Sequence, residues 1–101
     1  MKKLTLIVHA DSQQNLADLL RSQPSVTGFT FTHVEGHGAQ GERDAFLSPR
    51  DLVVGYVPHV RVDLLLKDAD VKPVLAALRA APGGAGSGVY WITPIDDQGR
   101  L

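Results

Sequence analysis

The chain has 101 residues, of which 44% are apolar and 21% are charged, and this length and composition are typical of one globular domain. Ten Lys and Arg residues nearly balance eleven Asp and Glu residues, for a formal net charge of −1. Nucleic-acid binding is therefore not expected, because phosphate backbones are held by clustered cations. The lack of cysteine excludes disulfides, thiolate metal sites and a cysteine nucleophile.

The first apolar run predicts a strand rather than a membrane or export segment. Residues 4–9 are rich in β-branched side chains and are largely apolar on both faces, as in a strand interior to its sheet. The run is far shorter than the roughly 20 residues of a membrane helix, and no signal-peptide cleavage site follows it. We expect a cytoplasmic protein that does not span a membrane.

A helix and a second strand follow. Asp11 or Ser12 is expected to cap the helix by accepting backbone N–H bonds, and Pro24 bounds it. The buried stripe of this helix consists of Leu16, Leu19 and Leu20. Residues 28–35 then predict a strand. Alternation places five side chains on one face of this strand and its extension, namely Phe29, Phe31, His33, Glu35 and His37.

The segment after this strand, about residues 38–50, has no apolar period and is predicted to be a long loop. A loop of this length in so small a domain is more often functional or disordered than a mere connection. A β-prone stretch over residues 51–66 follows, and Pro58 interrupts it. Alternation places His59, Arg61, Asp63 and Leu65 on one of its faces. Because proline lacks the N–H donor of the ladder, we expect Pro58 at a sheet edge or at a bend.

The rest of the chain predicts one more helix and one more strand. Asp70 is expected to cap the helix, whose buried stripe consists of Val74, Leu75 and Leu78. A glycine-rich turn over residues 83–88 leads into a strand over residues 89–93. The order β-α-β-β-α-β predicts an α+β, ferredoxin-like sandwich with a four-stranded antiparallel sheet and two helices on one face. Since the helices cover only one side of this sheet, we expect the other side to be buried between subunits.

Three stretches carry a resemblance to a known family. Residues 36–40, Gly-His-Gly-Ala-Gln, resemble the segment with which a strand of the PII signalling proteins opens its long T-loop. Residues 51–62 are similar to the strand on which that loop returns, including its proline. The chain thus resembles the PII-like superfamily. Residues 89–94, with Gly99 and Arg100, are most similar to a PII-like branch associated with heavy-metal efflux systems.

The resemblance implies one PII-like domain over residues 1–101, a homotrimer, a T-loop at about residues 38–50 and a B-loop at about residues 83–88. Intersubunit clefts would bind a small effector, and the T-loop would control a partner, a membrane transporter or another protein. The implied effector-binding residues are Gly36, His37, Gly38, Gln40, Gly83, Gly84, Gly86 and Gly88. The implied partner-binding residues are Glu42, Arg43, Asp44 and Phe46.

An adenine nucleotide is the effector that the resemblance implies, but the chain departs from the family's pattern where phosphate is bound. Val89 stands where the family has a lysine after the B-loop, and residues 93–97 stand where it has two arginines. Each missing cation removes a charge-assisted hydrogen bond of roughly 1.5 to 3 kcal/mol. Nucleotide binding is therefore expected to be weakened.

His33, Glu35 and His37 lead to a second hypothesis, a divalent transition-metal site of one or two subunits, which His59, Asp44 or Glu42 could complete. Residues two apart on a strand lie about 7 Å from each other, and imidazole suits zinc, copper, nickel and cobalt. The alternative is an ordinary solvated loop base. Tyr90 and Trp91 likewise suit either a stacked planar ligand or core and subunit contacts.

The sequence lacks the residue patterns that would indicate catalysis or RNA recognition. The chain has no nucleophile elbow, no HExxH pair and no P-loop lysine. An RNA-binding module with this element order needs aromatic side chains in its central strands, and residues 60–66 contain none. We predict a PII-like regulatory protein without enzymatic activity. The alternative is a metal-binding accessory protein of a heavy-metal efflux system, in which the histidines bind the cargo itself.

Overall fold

The computed structural model describes residues 1–37, 57–81 and 88–101. The helices and strands in these ranges are, in chain order, β1 (Lys2–His9), α1 (Gln13–Ser22), β2 (Thr30–Gly36), β3 (Val57–Leu66), α2 (Val71–Ala80) and β4 (Val89–Pro94). This is the predicted order of elements. The predicted third strand began at residue 51, and its first part, residues 51–56, lies outside the described residues.

The four strands form one antiparallel sheet in the order β2-β3-β1-β4. Together with the two helices this arrangement confirms the predicted α+β, ferredoxin-like fold. β1 is an interior strand, as its largely apolar faces predicted, and it pairs with β3 over its whole length. β2 and β4 are the two outer strands of the sheet.

The core lies between one face of the sheet and the two helices. Paired apolar residues of β1 and β3 form its sheet side: Leu4 with Leu64, Leu6 with Val62 and Val8 with Val60. The helices close it with buried side chains of their own, Leu16 and Leu20 from α1 and Val74 and Leu78 from α2. Each such side chain contributes about 1.5 to 3 kcal/mol when it is fully buried, so this layer is the main source of stability.

Both helices begin differently from the prediction. Ser12 and Asp70 occupy the N-cap positions of α1 and α2, but neither side chain makes a capping hydrogen bond. The reason is that each helix continues from a 3₁₀ turn, so the cap residue already has a helical backbone conformation instead of the extended one that aims a cap side chain. Asp11 does not cap α1 either, and its own N–H donates to the His9 ring.

Pro58 lies near the start of β3, which is a central strand of the sheet. The described pairing shows how the proline is accommodated. Pro58 lies opposite Glu35 of β2, whereas the pairing of β3 with β1 ends at His59. At this position the strand has a hydrogen-bonding neighbour on one side only, which is the local edge environment that proline needs.

Candidate functional site

The sheet surface that faces away from the helices is the first candidate site, and we call it the open face. The strand registers assign to it Ile7, His9, Val34, His59, Arg61, Asp63, Leu65, Val89 and Trp91. Trp91 and Val89 are 43% and 55% exposed. Within the described parts of the chain, no helix covers this face, as the sequence predicted. A surface that mixes exposed apolar and charged side chains in this way is typical of an interface.

A hydrogen-bonded ion pair occupies the middle of the open face. The Arg61 side chain donates to both carboxylate oxygens of Asp63, with 2.9 Å from Nε to Oδ2 and 3.3 Å from Nη2 to Oδ1. The hydroxyl of Thr5, a fully buried residue, donates to the same Oδ1 at 2.8 Å. Partial burial of Asp63 works to raise its pKa, but the hydrogen bonds from Arg61 and Thr5 outweigh it and lower the pKa.

Trp91 extends this arrangement to the outer strand β4. The Arg61 guanidinium carbon lies 6.0 Å from the centroid of the indole ring, within the range of a cation–π contact. The register brings the two side chains together, because Thr5 lies between Asp63 of β3 and Trp91 of β4. Alternation along β3 already placed Arg61 and Asp63 on one face in the sequence, whereas the contribution of Thr5 depends on the pairing between strands and was missed.

Gly36 closes the end of β2, directly before the predicted T-loop. A β-carbon at this position would lie 2.1 Å from Nδ1 of His59, far inside contact distance. The imidazole therefore lies directly against the backbone of Gly36. The carbonyl of Val57 accepts a hydrogen bond from the same Nδ1 at 2.8 Å, which holds the ring in this place. The glycine is required here by this close approach.

His9 lies beside His59 on the same end of the open face. The two ring centroids are 6.0 Å apart. Nδ1 of His9 accepts the backbone N–H of Asp11 at 3.1 Å, while Nδ1 of His59 donates to a carbonyl. Both rings are thus oriented by backbone groups, which fits the role of hydrogen-bonded interface residues.

The predicted metal ligands are only partly brought together. Glu35 and His37 are hydrogen-bonded to each other, and both are exposed. His33 lies opposite Val60 and Glu35 lies opposite Pro58, so both are on the helix side of the sheet. Among residues 1–37, 57–81 and 88–101, no group of three or more His, Asp or Glu side chains is placed to hold a metal ion. The metal site stays a prediction, since Glu42 and Asp44, which could complete it, lie outside the described residues.

Three of the predicted effector-binding residues lie in the described part of the chain: Gly36, His37 and Gly88. The other five, Gly38, Gln40, Gly83, Gly84 and Gly86, lie outside it, as do all four predicted partner-binding residues, Glu42, Arg43, Asp44 and Phe46. Gly36 ends β2 and Gly88 precedes β4, so both lie at the same end of the sheet. β3 and β1 separate them, which corresponds to three strand spacings or about 14 Å.

The order of strands and helices defines an α+β protein with a ferredoxin-like fold. The chain belongs to the family described as "Protein of unknown function (DUF3240)", whose sequence model matches residues 1–101. Within the described ranges, the two helices are too short and too polar to cross a membrane.

Relatives with an established name place the chain in the PII-like superfamily. The chain is 24% identical over 103 residues to the "Nitrogen regulatory protein P-II" of Azospirillum brasilense, with 100% of this chain and 91% of that protein covered. It is 28% identical over 105 residues to the protein of the same name from Rhizobium leguminosarum bv. viciae, with the same coverage. The predicted resemblance to PII-like proteins is thereby confirmed, whereas the association with metal efflux stays a prediction.

A solved structure shows the same fold. The crystal structure of a DUF3240 family protein from Shewanella baltica OS155 matches with a TM-score of 0.73 at 22% sequence identity. The match covers 99% of this chain and 94% of that one.

Proposed function

We propose that this protein is a PII-like regulatory protein that acts in the cytoplasm as a homotrimer. A small effector binds in the clefts between subunits, and the loop at about residues 38–50 controls a partner, for which a membrane transporter is the leading candidate. Two findings support the proposal: the relatives named as nitrogen regulatory proteins and the uncovered sheet face. The protein acts by binding and catalyses no reaction.

The open face is the observation that carries this proposal. Exposed Trp91 and Val89 lie on β4, to one side of a charge pair, Arg61 and Asp63, that is hydrogen-bonded within the chain. A satisfied charge pair is much less costly to bury than an unpaired charge. The face is therefore suited to close against copies of itself.

The separation of the sheet-end glycines explains why the effector site needs more than one copy. Gly36 and Gly88 are about 14 Å apart across the sheet of a single chain, too far to contact one small group together. When copies meet along their outer strands, Gly36 of one copy approaches Gly88 of the next. The cleft between copies then has the loop after residue 36 on one side and the turn before residue 88 on the other.

Regulation follows from a difference in affinity. An effector that favours one conformation of the loop at about residues 38–50 raises the population of that conformation, and the partner binds only that form. The coupling equals the difference in the effector's binding free energy between the two forms. The effector is an adenine nucleotide bound weakly because cations are missing, or a divalent transition metal.

A pair of substitutions on β4 tests the assembly. Trp91 and Ile92 are 43% and 41% exposed, but they lie on opposite faces of the sheet. We expect Trp91→Glu to dissociate the trimer, because it removes the apolar ring from the interface and a carboxylate is costly to bury, and Ile92→Glu to leave the mass unchanged. Light scattering after size exclusion measures both. A dissociating Ile92→Glu together with an intact Trp91→Glu would contradict the proposal.

Calorimetric titration with ADP, ATP and a panel of divalent metals tests the effector. Loss of nucleotide binding on Gln40→Ala is the expected result for the sensor. Tight stoichiometric metal binding that is lost in His33→Ala and His37→Ala indicates the accessory protein instead. Binding of neither class would refute the effector part of the proposal and leave the assembly untouched.

A further inference from the structure

A groove runs along the helix side of the sheet, where α2 meets the outer strand β4. Its floor is apolar and consists of Val71 and Leu75 of α2 with Tyr90 and Ile92 of β4. The cavity has a volume of about 540 Å³, within the range of roughly 300 to 1,000 Å³ typical of small-molecule sites. This surface lies on the opposite side of the sheet from the open face.

Cationic side chains surround this apolar floor. Lys2, Lys72 and Arg79 line the groove. Asp68 is the one carboxylate among the described lining residues, and it pairs with the amino group of Met1 at 2.7 Å. Among the ion pairs of the described residues, none involves Lys72 or Arg79. The groove thus combines an apolar surface with an excess of positive charge.

Arg79 is held at the centre of the groove by Tyr90. Its Nη2 donates to the tyrosine hydroxyl at 3.1 Å, and its guanidinium carbon lies 5.4 Å from the centroid of the ring. The same two residues also line an adjoining cavity of about 270 Å³ that reaches Gly88. A guanidinium has five N–H donors, and the hydrogen bond to Tyr90 uses one of them. Within the described residues, Arg79 makes no further hydrogen bond or ion pair, so the remaining donors are available to an anion.

We propose that this groove binds a small soluble organic anion, namely a carboxylate with an apolar body. Arg79 binds the carboxylate, since a planar guanidinium matches carboxylate geometry. Leu75 and Ile92 contact the apolar body, which gains free energy by leaving water. Both parts of the ligand are required, because an exposed cation alone holds an anion weakly in water. The site needs one chain only and does not depend on the proposed trimer.

Titration of the ¹⁵N-labelled chain with three probes tests the proposal: sodium octanoate, sodium acetate and octanamide. We expect octanoate to shift the amide resonances of the groove residues and to bind at least about tenfold more tightly than octanamide, because one charge-assisted hydrogen bond is worth about 1.5 to 3 kcal/mol. Acetate should also bind at least about tenfold more weakly than octanoate, because it lacks the apolar body. Equal binding of octanamide, or shifts confined to other parts of the chain, would overturn it.

Substitutions of Arg79 locate the anion. We expect Arg79→Gln to weaken octanoate binding at least about tenfold and Arg79→Lys to weaken it less, since lysine keeps the charge and loses the planar fork. Arg21→Gln is the matched control, because Arg21 is also exposed on a helix and lies 6.0 Å from a ring centroid, that of Phe29. Thermal melts establish that each variant is folded.

Either of two results would refute anion binding in the groove. The first is an octanoate affinity that Arg79→Gln leaves unchanged. The second is a change of sedimentation in Arg79→Glu together with no response to octanoate, which would make the groove a contact between copies of the chain.

Discussion

At the scale of single residues, the ring of His59 lies against the backbone of Gly36. A β-carbon at residue 36 would displace this ring and break its hydrogen bond to the Val57 carbonyl. We expect Gly36→Ala to lower the free energy of unfolding by about 1 to 3 kcal/mol, the usual cost of overpacking. Urea denaturation followed by circular dichroism measures this loss.

Gly28 supplies the control for this substitution. A β-carbon there would meet no atom within 4 Å, so Gly28→Ala is expected to leave stability unchanged or slightly increased. In a His59→Ala background the obstacle is gone, and Gly36→Ala should then cost little. An equal cost of Gly36→Ala in both backgrounds would show that the ring is not the cause.

The Asp63 carboxylate predicts a pH dependence of stability. Burial opposes ionisation, but the bonds from Arg61 and Thr5 keep the pKa of Asp63 below its ordinary value in the folded chain. Its stabilising contribution is therefore fully present above the pKa of the unfolded chain, about 3.9, and is lost as the pH falls through the folded pKa. The difference in unfolding free energy between the wild type and Asp63→Asn should shrink between about pH 5 and pH 2. A difference that stays constant over this range would contradict the assignment.

At the scale of elements, helix α1 is attached to the sheet by two fully buried leucines, Leu16 and Leu20. Leu20→Ala removes most of a side chain from the core and is expected to cost about 2 to 5 kcal/mol. Leu19 belongs to the same predicted stripe but is only partly buried, so Leu19→Ala should cost less. Equal losses from the two variants in chemical denaturation would mean that α1 packs in another orientation.

The elements show how far sequence patterns reach. Alternation and apolar spacing predicted the fold, because β1 and β3 bury residues at every second position against the helices. The patterns did not predict contacts that depend on strand register, such as Thr5 with Asp63 or the His59 ring against Gly36. The predicted capping hydrogen bonds were wrong for a related reason. The 3₁₀ turn before α1 gives Ser12 a helical backbone conformation, from which its side chain does not make the capping hydrogen bond.

The candidate sites were likewise predictable where they depend on one segment of the chain, and not where they depend on contacts between elements. Gly36 and Gly88 were found through their resemblance to loop motifs, and alternation along one strand brought Arg61 and Asp63 onto one face. The groove with Arg79 and Tyr90 had no sequence signal, because the two residues belong to different elements that meet only in the folded chain. In the sequence, Arg79 has the pattern of an ordinary exposed helix residue, and only its contact with Tyr90 of β4 distinguishes it.

At the scale of the whole molecule, the proposed trimer depends on the open face. A single chain leaves Trp91 and Val89 exposed there and leaves its two sheet-end glycines apart. Association of three copies would bury Trp91 and Val89, and it would bring Gly36 of one copy close to Gly88 of the next. Regulation by an effector between subunits is possible only if this assembly forms.

The mass of the wild-type chain in solution tests this claim most directly. Multi-angle light scattering after size exclusion, repeated over a range of micromolar loading concentrations, should give three times the chain mass of 10.9 kDa at every concentration. A mass of one chain at all of these concentrations would contradict the account.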